Sequence, residues 1–272
     1  MPSDFSYDPV TAVDEASASG QTAAIFADIR ETMGIPLVTS IWRGLAGMGD
    51  SLSQAWYLAK PIYASGLPEH ALRRVVGRAS LPFPEPLAPT QLACAGVGER
   101  DLEEILTILA AYNRSNGMNL VSLAALITTP DAGSGVGSFP STTPVWPPLR
   151  PLLPREAIHA NTWSMVRHVN AFGATSIDAG VATLWRHLAH WPGLLAIVHA
   201  AFAPLQVRGT IAAASAQIVA FSLEEGARMA HLRRGEIEMS RQARDTITGY
   251  VHSPTQVARM VTIGHALARW LK

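Results

Sequence analysis

The sequence predicts an all-α protein in which two pseudo-symmetric helical repeats form one compact unit with a pocket between them. Apolar residues recur at i, i+3, i+4 and i+7, as in Ile25, Ile29 and Met33, the spacing of a single buried helix face. No segment shows the strict apolar–polar alternation of a half-buried strand. Val38–Ala46 returns as Val181–Ala189, and Tyr112–Asn116 returns at a similar offset as Tyr250–Pro254. Self-similarity at so long a period is the mark of a duplicated unit.

The elements follow from stripes and punctuation. The stripe ending at Met33 is closed by Gly34 and Pro36, and a second stripe comprises Val38, Ile41, Trp42 and Leu45. Asp50 or Ser51 suits the cap of the next helix, and Pro68 the first turn of another. Leu102, Ile105, Leu106 and Leu109 open a further helix. Residues 129–154 hold seven prolines and the Gly133-Ser134-Gly135-Val136-Gly137 run, a composition that cannot sustain a helix. This segment is read as a linker between a first repeat, 1–128, and a second, 155–272. The second repeat is predicted to carry helices at 155–172, 181–190, 192–203, 209–234, 240–251 and 254–271. The glycine run has neither the strand before it nor the Lys-Ser/Thr after it that a phosphate loop requires.

Composition narrows the function classes. The 272 residues, 48% of them hydrophobic, suffice for a large core. Basic and acidic residues balance at 21 each with no block of like charge, so no phosphate-neutralising surface and no nucleic-acid partner is expected. No apolar run reaches the roughly 18 residues of a bilayer span, so no membrane association is expected. Residues 1–15 do not read as a secretion signal, leaving the cytoplasm as the expected compartment. Cys94 is the only cysteine, which rules out an internal disulfide or a CxxC pair and suits a small buried or loop residue. No cofactor is expected.

The run Phe26–Pro36, followed by Trp42-Arg43 and Ala55-Trp56, resembles the opening of the group I 2-haloacid dehalogenases, also labelled the halocarboxylic acid dehydrogenase family. The likeness continues through Ala111–Asn116 and through Gly180, Ala182-Thr183, Leu188-Ala189 and Trp191-Pro192. It implies a helical duplication, a homodimer, and an apolar pocket in which water displaces halide from a small carboxylic acid without a covalent ester. Such a step needs a base for the water, a group that orients it, and an apolar cavity that raises the base's pKa. Carried over by position, the family's water-orienting asparagine falls on Asn116. Its aspartate base falls on Leu184, which cannot accept a proton. Its aromatic pocket residues fall on Leu37 and Ser40, and its pocket tyrosine on Tyr250.

The residues themselves add candidates. Asp178 precedes the second repeated helix and reads as either a cap or a relocated base. His252 lies in the segment matching the one that bears Asn116, and reads as either a base or a solvated histidine beside a helix start. Tyr112 and Tyr250 are equivalent aromatics, either core or pocket lining. Thr39, Ser40 and Thr183 stand near helix starts and suit anion contacts. Arg43 and Arg186, each beside a tryptophan, read as a carboxylate clamp or as arginines stacked on the rings. His187 and His190 have the spacing of some metal pairs but no third ligand in sequence, so packing or exposed histidines are the other reading. The expected set is thus Asn116 and His252 as catalytic residues, with Leu37, Ser40, Tyr112, Thr183, Leu184 and Tyr250 binding the substrate. Two functions stay open: a dehalogenase with an altered pocket, or a relative that binds a small carboxylic acid without turnover. A third, redox chemistry of the alkylhydroperoxidase type, is opposed by the lone Cys94.

Overall fold

The computed structural model describes residues 12–131, 139–177, 180–235 and 238–272, and among them every regular element is a helix. In order these are α1 (Gly20–Met33), α2 (Ser40–Ala46), α3 (Ser51–Ala64), α4 (Leu67–Arg78), α5 (Pro89–Cys94), α6 (Glu99–Ile127), α7 (Ala160–Asn170), α8 (Thr183–Leu188), α9 (Pro192–Val207), α10 (Thr210–Met229), α11 (Arg241–His252) and α12 (Val257–Trp270). Short 3-10 helices occupy Arg155–Ala157 and Ala230–Leu232.

Local chemistry explains most boundaries. Asp50 occupies the N-cap position of α3, and Pro68 sits in the first turn of α4, where its missing N–H costs nothing. The helix expected at 155–172 divides, because His159 accepts a hydrogen bond from the Asn161 N–H and starts α7 afresh. Two starts come later than expected, α8 at Thr183 and α12 at Val257. Cys94 is exposed at the end of α5.

The packing does not follow the chain in two blocks. One core combines the buried faces of α1 to α4 with Met118–Leu126 of α6 and with Ala243, Ile247, Tyr250 and Val251 of α11. The other combines α7 to α9 with Ile105, Ile108, Leu109 and Tyr112 of α6 and with Ile263, Ala266 and Leu267 of α12. α6 therefore contributes its first half to one core and its second half to the other, and the α11–α12 pair does the same in reverse. Side chains fix this exchange: Ser51 and Ser240 share a hydrogen bond of 3.1 Å, and the Ser240 N–H donates to Gln54 Oε1 at 3.1 Å. Where α10 crosses α6, a Cβ on Gly226 would lie 2.8 Å from the carbonyl carbon of Ala124, so only glycine permits this backbone approach.

Residues 139–154 are extended, and they are tied down on both sides. Phe139 donates its N–H to Ser65 O at 2.8 Å, over Gly66, whose φ of 72° and contact with Phe139 O leave no room for a side chain. Prolines remove donors from this strap but leave its carbonyls. Those carbonyls are taken up by side chains of the helices: Thr142 O by Arg114, Arg150 O by His187, Pro151 O by His190 and Leu153 O by Arg186. The glycine run at 133–137 lies outside the described residues. No single described helix is long and apolar enough to cross a membrane; α9 with the helical stretch that follows would pass on length and composition together, but they bend by 79°.

Candidate functional site

Where the two cores meet, the starts of α2 and α8, the middle of α6, the end of α11 and the start of α12 surround a small cavity. Its lining includes Ser40, Tyr112, Asn116, Thr183, Leu184 and Tyr250, with Thr39, Ala182, Val257 and Met260 completing it. Six of the eight residues expected to form the site are thereby brought together. The cavity volume is about 10 Å³, room for roughly one water molecule.

α6 explains the pairing of Tyr112 with Asn116. They are four residues apart in an unbroken helix and therefore share a face. Asn116 is partly exposed and its amide makes no hydrogen bond among the described residues. One turn further on, Asn119 is fully buried and satisfied: Trp42 Nε1 and Tyr63 Oη donate to its Oδ1 at 3.0 and 2.8 Å, and its Nδ2 donates to Thr39 Oγ1 at 2.6 Å. This network holds α2, α3 and α6 in register beside the cavity. The opposite wall is set by Asn170, which accepts from the Ala182 N–H at 3.0 Å and donates to Gly180 O at 3.0 Å, fixing the approach to α8.

The polar groups of the wall are phenols, hydroxyls and an amide. The Tyr250 hydroxyl is buried without a partner among the described residues, and burial drives its pKa far upward, so it stays a neutral donor. Leu184, 1% exposed, presents an isobutyl group to the cavity. No carboxylate and no imidazole lines the cavity among the described residues.

Two expected residues fall elsewhere. His252 is exposed at the C-terminal end of α11 and does not line the cavity; two positions from Tyr250, it points about 200° away around the helix. It also ends a helix rather than preceding a helix start. Leu37 is partly buried and packs against the core of the second half, outside the lining. Asp178 lies outside the described residues, and the N-cap position of α8 is held by Ala182. Arg43 and Arg186 donate to backbone carbonyls of Val13 and Leu153, and neither lines the cavity.

His187, absent from the expected site, is the cavity's closest histidine neighbour, through Tyr112. Of the two readings of His187 and His190, a metal pair or packing histidines, the fold fits the second: both side chains end on carbonyls of the 139–154 strap. The signal was available, since His187 lies one turn after Leu184 on α8 and so shares its face. Its Nδ1 is 3.3 Å from the Tyr112 hydroxyl, and burial lowers its pKa below the ordinary imidazole value.

A larger groove of about 490 Å³ runs along α4, α6 and α12, and none of the expected site residues lines it. Its floor includes His265, a partly exposed residue whose Nε2 is nonetheless buried without a partner among the described residues. Burial brings its pKa down to about 4. His187 and His265 are thus folded in as neutral imidazoles, whereas unfolded histidine binds a proton near pH 6.5. The unfolded chain binds more protons below that value, so stability is complete above about pH 6.5 and is lost as pH falls toward 4. The unfolding free energy from urea titrations across this window is expected to drop by on the order of 3 kcal/mol, with His265→Leu removing most of the dependence. A midpoint flat down to about pH 4.5 contradicts this.

No known family profile matches the chain. Curated relatives do. A configuration-inverting 2-haloacid dehalogenase of Alcaligenes xylosoxydans xylosoxydans is 26% identical over 197 residues, covering 68% of this chain and 66% of that protein. The configuration-inverting enzyme of Pseudomonas sp. (strain 113) is 26% identical over 199 residues, covering 68% and 64%. The (R)-2-haloacid dehalogenase of Pseudomonas putida is 25% identical over 111 residues, 37% of its length. The chain thus matches less than two thirds of each relative's length. In three dimensions the likeness runs further: the D-2-haloacid dehalogenase complex with L-LA superposes with a TM-score of 0.77 over 96% of both chains at 15% identity. The chain is a distant homologue of the configuration-inverting 2-haloacid dehalogenases. A dehalogenase mutant solved with D-2-CPA shares the fold as well, with a TM-score of 0.74 over 96% of this chain.

Proposed function

We propose that the chain is a hydrolase of small 2-halogenated carboxylic acids, in which a water held at Asn116 displaces the halide. The observation that carries this reading is the convergence of Asn116, Ser40, Thr183 and the unpartnered Tyr250 hydroxyl on one cavity at the seam of two cores. An amide orients water by donating and accepting at once. The hydroxyls of Ser40, Thr183 and Tyr250 suit the substrate's carboxylate. The apolar groups of Val257, Met260 and Leu184 suit its halogen and alkyl chain. Space for more than a water has to come from side-chain movement, for which the unbranched Met260 is the best placed.

The duplication belongs to the same reading: α2 matches α8, and Tyr112 on α6 matches Tyr250 on α11, so the pocket is where two copies meet. A homodimer and a cytoplasmic location complete it. The second reading, a carboxylic-acid binder without turnover, is favoured by Leu184 alone.

Purified protein incubated with D- and with L-2-chloropropionate, followed by chloride release, separates the two. Release is expected, and Asn116→Ala is expected to lower it by about 10²-fold. Thermal stabilisation by either enantiomer without chloride release establishes the binding reading instead.

A further inference from the structure

We propose that Tyr112 and His187 form a proton-accepting relay for the attacking water, so that the base stands one turn behind Leu184 rather than in its place. The proposal rests on the hydrolytic reading above and adds the group that reading lacks. Both residues are 4% exposed, and Tyr112 lines the cavity on the same face of α6 as Asn116.

The hydrogen bonds fix the proton's direction. His187 Nε2 lies 2.5 Å from Arg150 O, and a carbonyl can only accept, so Nε2 carries the proton. In the neutral ring Nδ1 is then the acceptor, and the Tyr112 hydroxyl donates to it at 3.3 Å. The strap carbonyl thus selects the tautomer able to take a proton from the cavity side. As water attacks, one of its protons passes to Tyr112 Oη while the phenolic proton passes to His187 Nδ1. The water oxygen bonds to Cα, the carbon–halogen bond breaks, and its electron pair leaves on the halide. The 2-hydroxy acid, halide and an imidazolium remain; the imidazolium then returns its proton to solvent.

The groups facing His187 bear on that charged state. Glu104 of α6 favours it and His190 opposes it. Arg150 contributes its carbonyl, and its guanidinium is drawn off onto Glu104 at 2.7 Å and Asp101 at 3.7 Å. Burial keeps the resting ring neutral, so turnover is complete at neutral pH and fails in acid as the ring takes up a proton.

Tyr112→Phe and His187→Gln test the relay, since the first leaves the His187–Arg150 bond alone and the second offers an amide N–H to the same carbonyl. Chloride release and its pH profile are measured for both, for the unaltered protein and for Leu184→Asp. Each relay variant is expected to lose about 10²-fold in kcat together with the imidazole-set acid limb, the double variant losing no more than either single one. Unchanged rate and pH profile in Tyr112→Phe overturns the relay. So does silence of the unaltered protein when Leu184→Asp turns over, an outcome that also replaces the hydrolytic reading of this chain with the binding one; an active unaltered protein with an unchanged Tyr112→Phe overturns the relay alone. If neither the unaltered protein nor Leu184→Asp releases chloride from either enantiomer, the hydrolytic reading falls, and the relay with it.

Discussion

Leu184→Asp is expected to raise chloride release from 2-chloropropionate by about 10²-fold or more, since a directly placed general base contributes roughly 10²- to 10⁴-fold. Position 184 is on the wall of the cavity that Ala182 and Asn116 also line, and is 1% exposed. A carboxyl buried there has its pKa pushed toward neutrality by loss of solvation, which is what a base for water requires. The same burial weakens the fold: an isobutyl group that packs in the second core is exchanged for an acid, at a cost of about 2–4 kcal/mol. Gain of rate with loss of stability is the expected pair, read from chloride release and urea midpoints on the same preparation. A folded variant with no gain in rate would falsify the assignment of position 184 to the base.

Arg259→Met is expected to destabilise the protein by about 3–5 kcal/mol, because removing a buried multidentate donor strands its acceptors. Arg259 is fully buried on α12 and donates to Thr255 O at 2.9 Å, Asn170 O at 2.8 Å and Phe172 O at 3.3 Å. Methionine fills much of the volume but offers no N–H, leaving carbonyls at the end of α7 unsatisfied. The damage reaches the site, since Asn170 also orients the segment entering α8, and Met260 follows Arg259 directly on the cavity wall. In a chain of this size such a loss lowers Tm by about 10 °C. A fall below about 2 °C contradicts the clamp.

Helix content was legible because one-sided burial imposes a 3.6-residue period on the sequence, and nearly every stripe from Ile25 onward became a helix. Asn116 and Tyr112 were legible as a pair because an unbroken helix places i and i+4 together. The same arithmetic opposes His252, which aligns with Arg114, a residue whose side chain leaves the cavity for Met33 O. His187 was missed because its partners, Tyr112 and Arg150 O, are 75 and 37 residues away and no local pattern encodes them. The interleaving of the cores was likewise hidden, since apolar periodicity says which face is buried and not against what.

That interleaving has a consequence for the birth of the molecule. The first core, which holds Trp42, Trp56 and Tyr63, is closed by α11, whose N-cap residue Ser240 meets Ser51 across 189 positions of chain. On the ribosome, α1 to α4 emerge long before their lid has been translated, and their aromatic face stays open to water and to other nascent chains. The price of placing a cavity where both halves of a chain are needed to build it is a long wait during synthesis.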